Sequence, residues 1–484
     1  MFSSSIGDLT TPKRVALIAL TLLSLGAGAA ERLHRYDVQV DGALERLSVH
    51  ACLAAGTSER RLGTGSSRAG SFLIRDALSN NLSLRGDGQL RFTGSGDGRC
   101  FDYAVSLERA RGANDSRLLS RYESDLVTRS TLWLWRPVSP REGDDIEVRF
   151  SLPSGLNVSV PWQRVGDGST HTYRVGATSR YWPARTAFGR FDTQTVRVAG
   201  ARLHLAALAG TRPREMTQWL QEAAGAVTEL YGRFPVPDVQ VLVIPYGRGN
   251  EAVPWAQIVR GGGSAALFFV DPSRPLREFR QDWTATHEFS HLLLPFLNRD
   301  DAWLSEGLAS YYQEVLRARA GLLDERRAWE RIEAGFDRGR AQGKLSSLAY
   351  LSSEMGRERA HRHVYWSGAA FWLEMDVLLR RQGQSLDEVL LALGDCCLPA
   401  TQMWTGQQLL GQLDRLSGST LFTRTGERYA RQRGFPPMQT LFTELGVRVF
   451  GSDSVQLDDG APDARVRQAI MRASTANAAP SAGN

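Results

Sequence analysis

At 484 residues the chain is long enough for two or three domains. A composition of 42% hydrophobic and 23% charged residues is that of a globular protein and excludes disorder as its general state. The formal net charge of +6, carried mostly by arginine, gathers into no compact basic run interleaved with aromatics, so nucleic acid is not an expected partner and the charge reads as a solvated surface.

The chain opens with Lys13 and Arg14, an apolar run from Val15 to Leu25, and the small residues Gly26 to Ala30. That order predicts a secretory signal over residues 1–30 and an exported, periplasmic or secreted protein. The apolar run is shorter than the about 20 residues of a membrane span, and no later segment offers one; an N-terminal anchor is the alternative if the segment is not cleaved. From residue 31 to 195 come short runs such as Tyr36 to Val40, Gln89 to Thr93, Thr131 to Trp135 and Ile146 to Leu152, broken by Gly, Asp, Ser and Pro. They predict antiparallel β-structure, a sandwich or saddle-shaped sheet. Cys52 and Cys100 fall in this region and can pair in an oxidising compartment. Cys396 and Cys397 are adjacent, where a mutual bond is rare because it strains the backbone, and they read as a buried or partly exposed thiol pair at least as well as a redox pair.

The pattern changes after residue 196 to strands near Leu203 to Leu208, Val239 to Ile244 and Ala266 to Val270. A helix from Pro213, a favourable first-turn residue, to Tyr231 separates the first two. Helices follow at Leu276 to Leu297, Ala302 to Arg319, Asp324 to Arg340, Val364 to Gln382 and Leu386 to Leu393. The tail from 473 to 484 is Ala, Ser, Thr, Asn, Gly and Pro and is expected to be disordered.

The chemistry sits in ATHEFSHLLLPFLNRDDAWLSEGLASYYQ, Ala285 to Gln313, which contains HExxH at His287, Glu288 and His291. Two histidines four apart share one helix face and can reach a single ion, while Glu288, one residue on, can serve a metal-bound water as general base. Catalytic zinc takes three protein ligands, and Glu306, on the next helix beyond the reversing segment Leu292 to Asp301, is the best third. One zinc per chain is therefore expected.

HEFSH followed by WLSEGLASYY resembles the gluzincin peptidases, in particular the glycyl aminopeptidase and aminopeptidase N families. The resemblance implies an α+β architecture, a β-rich N-terminal domain followed by a thermolysin-like, mostly helical catalytic domain, with Glu306 as third zinc ligand. It also maps the oxyanion-binding tyrosine of a YxxGA segment onto Tyr365 in VYWSGAAFWLEMD; a phenol there donates to negative charge that develops in the transition state. The implied organisation is a peptidase domain at 196–400 and a helical extension at 401–472. The implied activity is hydrolysis of peptide or protein substrates by a metal-activated water. Where the aminopeptidases carry a GxMEN segment whose glutamate binds the substrate amine, this chain has RGGGSAALFFVDPS and no glutamate, which leaves aminopeptidase and endopeptidase both open. Gly261, Gly262 and Gly263 would let an edge strand approach a substrate backbone, and Glu251 reads as an exposed loop residue. The reading from another class is a catalytically inactive zinc-containing protein that binds peptide or serves as an envelope scaffold. Intact Glu288 argues against it, because a purely structural zinc site needs no base.

Overall fold

The computed structural model describes residues 32–472 except 94–98, 114, 117, 167–169, 177–183, 248, 261, 401 and 452–453. The expected signal segment, the expected disordered tail and Gly261 thus lie outside the described residues. The N-terminal part is β-rich. Its largest sheet has six strands, in the order Gln163–Arg164, His171–Gly176, Asp144–Ser151, Arg32–Val40, Arg46–Cys52, Cys100–Ser106. The pairing is not wholly antiparallel as the sequence suggested, because Arg32–Val40 runs parallel to Asp144–Ser151. Alternation along Arg32–Val40 turns Tyr36, Val38 and Val40 inward, onto a core with Phe150, Trp133, Trp135 and Trp162. The run Thr131 to Trp135, expected as a strand, includes a single helical turn, Ser130–Trp133. Two buried phenols hold it in place: Tyr103 donates to the Trp133 carbonyl at 2.8 Å and Tyr36 to that of Trp135 at 3.0 Å. Tertiary hydrogen bonding here overrides the local strand propensity of an aromatic run.

A five-stranded sheet follows, in the order Asp192–Val198, Ala201–Ala207, Asp238–Pro245, Ser264–Val270, Trp255–Arg260. Helix α1, Pro213–Thr228, connects Ala201–Ala207 to its parallel neighbour Asp238–Pro245. The central strand is apolar from Val241 to Ile244 because both its faces are covered. Val241 and Val243 meet the helical layer, while Leu242 and Ile244 meet Val127, Ala187 and Phe191 from the preceding β part. The outer strand, Trp255–Arg260, runs antiparallel to Ser264–Val270 and leaves one edge unpaired.

The remainder is mostly helical. Helix α2 spans Thr284–Ser290, α3 Ala302–Arg319 and α4 His361–Arg381. The single helix expected over Leu276 to Leu297 is instead Leu276–Gln281, a break at Asp282 and Trp283, α2, and a 3-10 turn at His291–Leu293. The Asp282 side chain accepts from the Thr284 backbone N–H at 2.7 Å and so starts the second segment. Helices α3 and α4 cross at two glycines: a Cβ on Gly368 would lie 1.9 Å from the Trp303 carbonyl oxygen, and one on Gly307 would lie 2.4 Å from the Gly368 carbonyl carbon. The extension beyond residue 400 is helical but also carries a hairpin, Val447–Phe450 with Ser454–Leu457. Cys52 and Cys100 are joined in a disulfide, and so are Cys396 and Cys397, where the sequence reading was a thiol pair. Among the described residues no helix is long and apolar enough to cross a membrane.

Candidate metal centre and its cleft

The break at Asp282 sets the start of α2 and so the direction of its buried face. His287, Glu288 and His291 are 3%, 8% and 8% exposed, and the two imidazole rings stand 4.9 Å apart and nearly perpendicular. Each ring is oriented from behind. His287 Nδ1 meets Gln313 Oε1 at 2.8 Å and His291 Nδ1 meets Ser305 Oγ at 3.0 Å. Gln313 is itself aimed by its Nε2 donating to Glu314 at 2.8 Å, and Glu314 is paired with Arg317. With both Nδ1 atoms committed, both Nε2 atoms face one carboxylate oxygen, Glu306 Oε2, at 3.4 and 3.5 Å. Two imidazoles and a carboxylate converging on one point, each imidazole held by a partner on its other nitrogen, suit a zinc ion.

A Glu288 carboxylate oxygen also falls within 4.8 Å of the histidine nitrogens, which by distance alone makes it a rival third ligand. It faces the edge strand, whose Ile258 backbone N–H favours its charged form. Glu306, shared by both Nε2 atoms, fits the ligand role better.

The electrostatics separate the two carboxylates. Burial raises the pKa of Glu288 against the lowering influence of His291 and His287. Burial acts on Glu306 in the same sense but is overcome by the charge of His291 and the hydrogen bonds of His287 and His291, which hold that carboxyl far below its usual range. For His287, burial opposes protonation while Glu306 and Glu288 favour it, and the net shift is upward. Tyr365 is pushed well up by burial and then by the charges of Glu306 and Glu288, so its phenol keeps its proton. Its ring lies nearly parallel to that of His287 with centroids 6.2 Å apart.

These groups line one cleft of about 420 Å³, whose opposite wall is the edge strand from Trp255 to Ile258. Trp255, Trp283 and Phe296, each between 40% and 47% exposed, line it as well. The Arg260 guanidinium donates to the His291 carbonyl, and burial lowers its pKa to about 10. The structure therefore brings His287, Glu288, His291, Glu306 and Tyr365 together. It does not bring Gly262 and Gly263 to the cleft lining: they form the turn between the last two strands at φ +95° and +148°. A Cβ on Gly263 would strike the Pro161 carbonyl oxygen at 1.9 Å, so the glycine serves turn geometry and close packing. The residues at the cleft are those of the strand before the glycines, Trp255 to Ile258 and Arg260. Glu251 is exposed, as expected, yet lies at the cleft. His363 is buried and His361 exposed. Asp301 accepts from the Gly406 backbone at 2.7 Å and orients no imidazole.

Sequence reasoning missed Gln313 and Ser305, and it put the edge strand at the glycines instead of at Trp255–Arg260. The available signal for Gln313 was its position: two turns beyond Glu306 on one helix, it lies near the face that carries the carboxylate. Replacing Gln313 by Leu should lower zinc affinity about 10–100-fold, measured by competition with a chromophoric chelator. Unchanged affinity would remove Gln313 from the site.

No family model matches the sequence, and no curated protein matches it. Solved structures do match. The aminopeptidase N family protein from Idiomarina loihiensis aligns over 86% of this chain and 78% of its own, with a TM-score of 0.63 and 15% identity. The M1 zinc metallopeptidase from Deinococcus radiodurans, in a variant bound to a Tyr-Ser-Ala substrate, aligns over 84% and 95%, with a TM-score of 0.53 and 14% identity. Yeast LTA4 hydrolase aligns over 84% and 68%, with a TM-score of 0.52 and 12% identity. The chain has the two-part α+β fold of the M1 zinc metallopeptidases and the aminopeptidase N family.

Proposed function

We propose that this protein is a zinc-dependent peptidase in which His287, His291 and Glu306 hold the ion. The observation that carries the reading is the convergence of both Nε2 atoms on Glu306 Oε2, beside Glu288 and Tyr365 in one cleft. Bound zinc supplies a Lewis acid that lowers the pKa of a water and polarises the scissile carbonyl. The residues of the chain do the rest. Glu288, whose burial makes it a stronger base than a free carboxylate, removes the water proton and delivers it to the leaving amine. Tyr365, kept protonated, donates a hydrogen bond to the carbonyl oxygen as negative charge builds on it. The unpaired edge of Trp255–Arg260 offers backbone groups to an extended peptide.

The peptide seen in the Deinococcus enzyme supports peptides as the substrate class. The N-terminal order of residues 1–30 and the Cys52–Cys100 disulfide support export from the cytoplasm. The test is zinc content of the purified protein together with hydrolysis of a peptide series bearing free and acetylated N-termini. One zinc per chain with cleavage supports the peptidase, and preference for free termini makes it an aminopeptidase. Glu306→Ala should bind zinc at least 10-fold more weakly. Stoichiometric zinc without cleavage would support the peptide-binding or scaffold reading instead.

A further inference from the structure

A second set of metal-ligating side chains lies in the six-stranded sheet. Strands Arg46–Cys52 and Cys100–Ser106 are antiparallel neighbours whose register sets His50 opposite Asp102 and Cys52 opposite Cys100. Between them, Ala51 and Phe101 turn into the core at 0% and 1% exposure. Strand alternation therefore puts His50, Asp102, Cys52 and Cys100 in a two-by-two block on the other face, where His50, Asp102 and Cys100 are exposed and Cys52 half-buried. The block is ordered by hydrogen bonds. Asp102 Oδ1 meets His50 Nδ1 at 2.8 Å, and Asp102 is itself fixed by Ser79, whose Oγ accepts from the Asp102 backbone at 2.6 Å. The other imidazole nitrogen, Nε2, faces Cys52 Sγ at 3.5 Å. One ligand atom from each of His50, Cys52 and Cys100 lies within 4.8 Å of the others.

One of those separations, Cys52 Sγ to His50 Nε2, is the one a tetrahedral ion imposes. Zinc–sulfur and zinc–nitrogen bonds of about 2.3 and 2.0–2.1 Å put sulfur and nitrogen ligands about 3.6 Å apart and two sulfurs about 3.8 Å apart. The sulfur–nitrogen spacing is already present for Cys52, Cys100 lies within 4.8 Å of the same imidazole, and the disulfide holds the two sulfurs together. A carboxylate on the far nitrogen of a ligating histidine is the usual support of such a site.

We propose that His50, Cys52 and Cys100 form a zinc site that the disulfide keeps shut. A dithiol reductant gives two electrons and two protons to the bond and leaves as its own cyclic disulfide. Zinc then displaces the two thiol protons and binds both sulfurs and His50 Nε2, with the fourth position left to water. Asp102 is a positioning residue. Reoxidation of the two thiolates by a disulfide donor would release the ion.

The test is cobalt(II) titration of the full chain before and after reduction with a phosphine, which leaves no competing thiol. The cleft residues include no cysteine among those described, so a thiolate-to-cobalt absorption band cannot come from the cleft, and replacing Cys396 and Cys397, which reduction also frees, separates the two remaining sources. The expected result is a band that saturates at one equivalent only after reduction, disappears in Cys52→Ser and Cys100→Ser, and persists when Cys396 and Cys397 are both replaced by Ser. Asp102→Asn should weaken cobalt binding about 10–100-fold and raise the pH at which the band appears. Circular dichroism and zinc retained in the cleft would show that the reduced chain is folded. The proposal is overturned by a folded, fully reduced chain without the band, by a band that survives Cys52→Ser, or by loss of the fold on reduction, which would make the disulfide purely structural.

Discussion

Glu288→Gln is expected to retain one zinc per chain and to hydrolyse peptides about 10²–10⁴-fold more slowly than the wild type, the range that a positioned general base contributes. The amide has nearly the shape of the carboxylate and can still face the Ile258 backbone. It cannot take a proton. Because burial raises the Glu288 pKa, kcat/KM in the wild type should fall as the pH drops through that raised value, where the base becomes protonated. The variant should lose this acid limb along with the rate. Zinc analysis, kcat and a pH profile of kcat/KM on the same preparations make the comparison, and a zinc-loaded variant with wild-type kcat would remove Glu288 from the role of base.

The centre was legible in the sequence to the extent that its geometry is local. His287, Glu288 and His291 are placed by helical spacing alone, and Glu306 needed only a second helix after a short reversal, which α3 provides. The long-range parts were hidden. The strand Trp255–Arg260 mixes exposed and buried positions and gave no clean alternation, so the apolar strand beside it was read and the edge was not. Periodic apolar residues run across Asp282 and Trp283, and only a side-chain hydrogen bond to the backbone ends one helix and begins the next. Gln313, buried in α3, is marked in the sequence only by its two-turn spacing from Glu306, which places it near the right face but does not name the imidazole it meets. The glycines after the edge strand were noticed for the right reason, close approach, but the surface approached is Pro161.

The glycine that most directly joins fold to chemistry is Gly368, and Gly368→Ala should slow turnover while leaving zinc in place. The substitution puts a methyl group where the Trp303 carbonyl oxygen is 1.9 Å away and the Gly307 Cα 2.8 Å away. Both are backbone atoms, so the helices themselves must separate. Their contact is otherwise tight, with Trp372 Nε1 donating to the Leu304 carbonyl at 2.8 Å across it. Glu306 adjoins Gly307 on α3, and Tyr365 lies about one turn before Gly368 on α4, so the spacing of the helices is also the spacing of ligand and phenol. Overpacking of this kind costs about 1–3 kcal/mol, to be read from urea unfolding. The rate effect should approach that of Tyr365→Phe, about 10²–10³-fold for a lost oxyanion donor, and should fall on kcat more than on KM. If Gly368→Ala acts through the phenol, it should add little to the rate loss of Tyr365→Phe when the two are combined. Fully additive losses would show that the crossing positions something other than Tyr365.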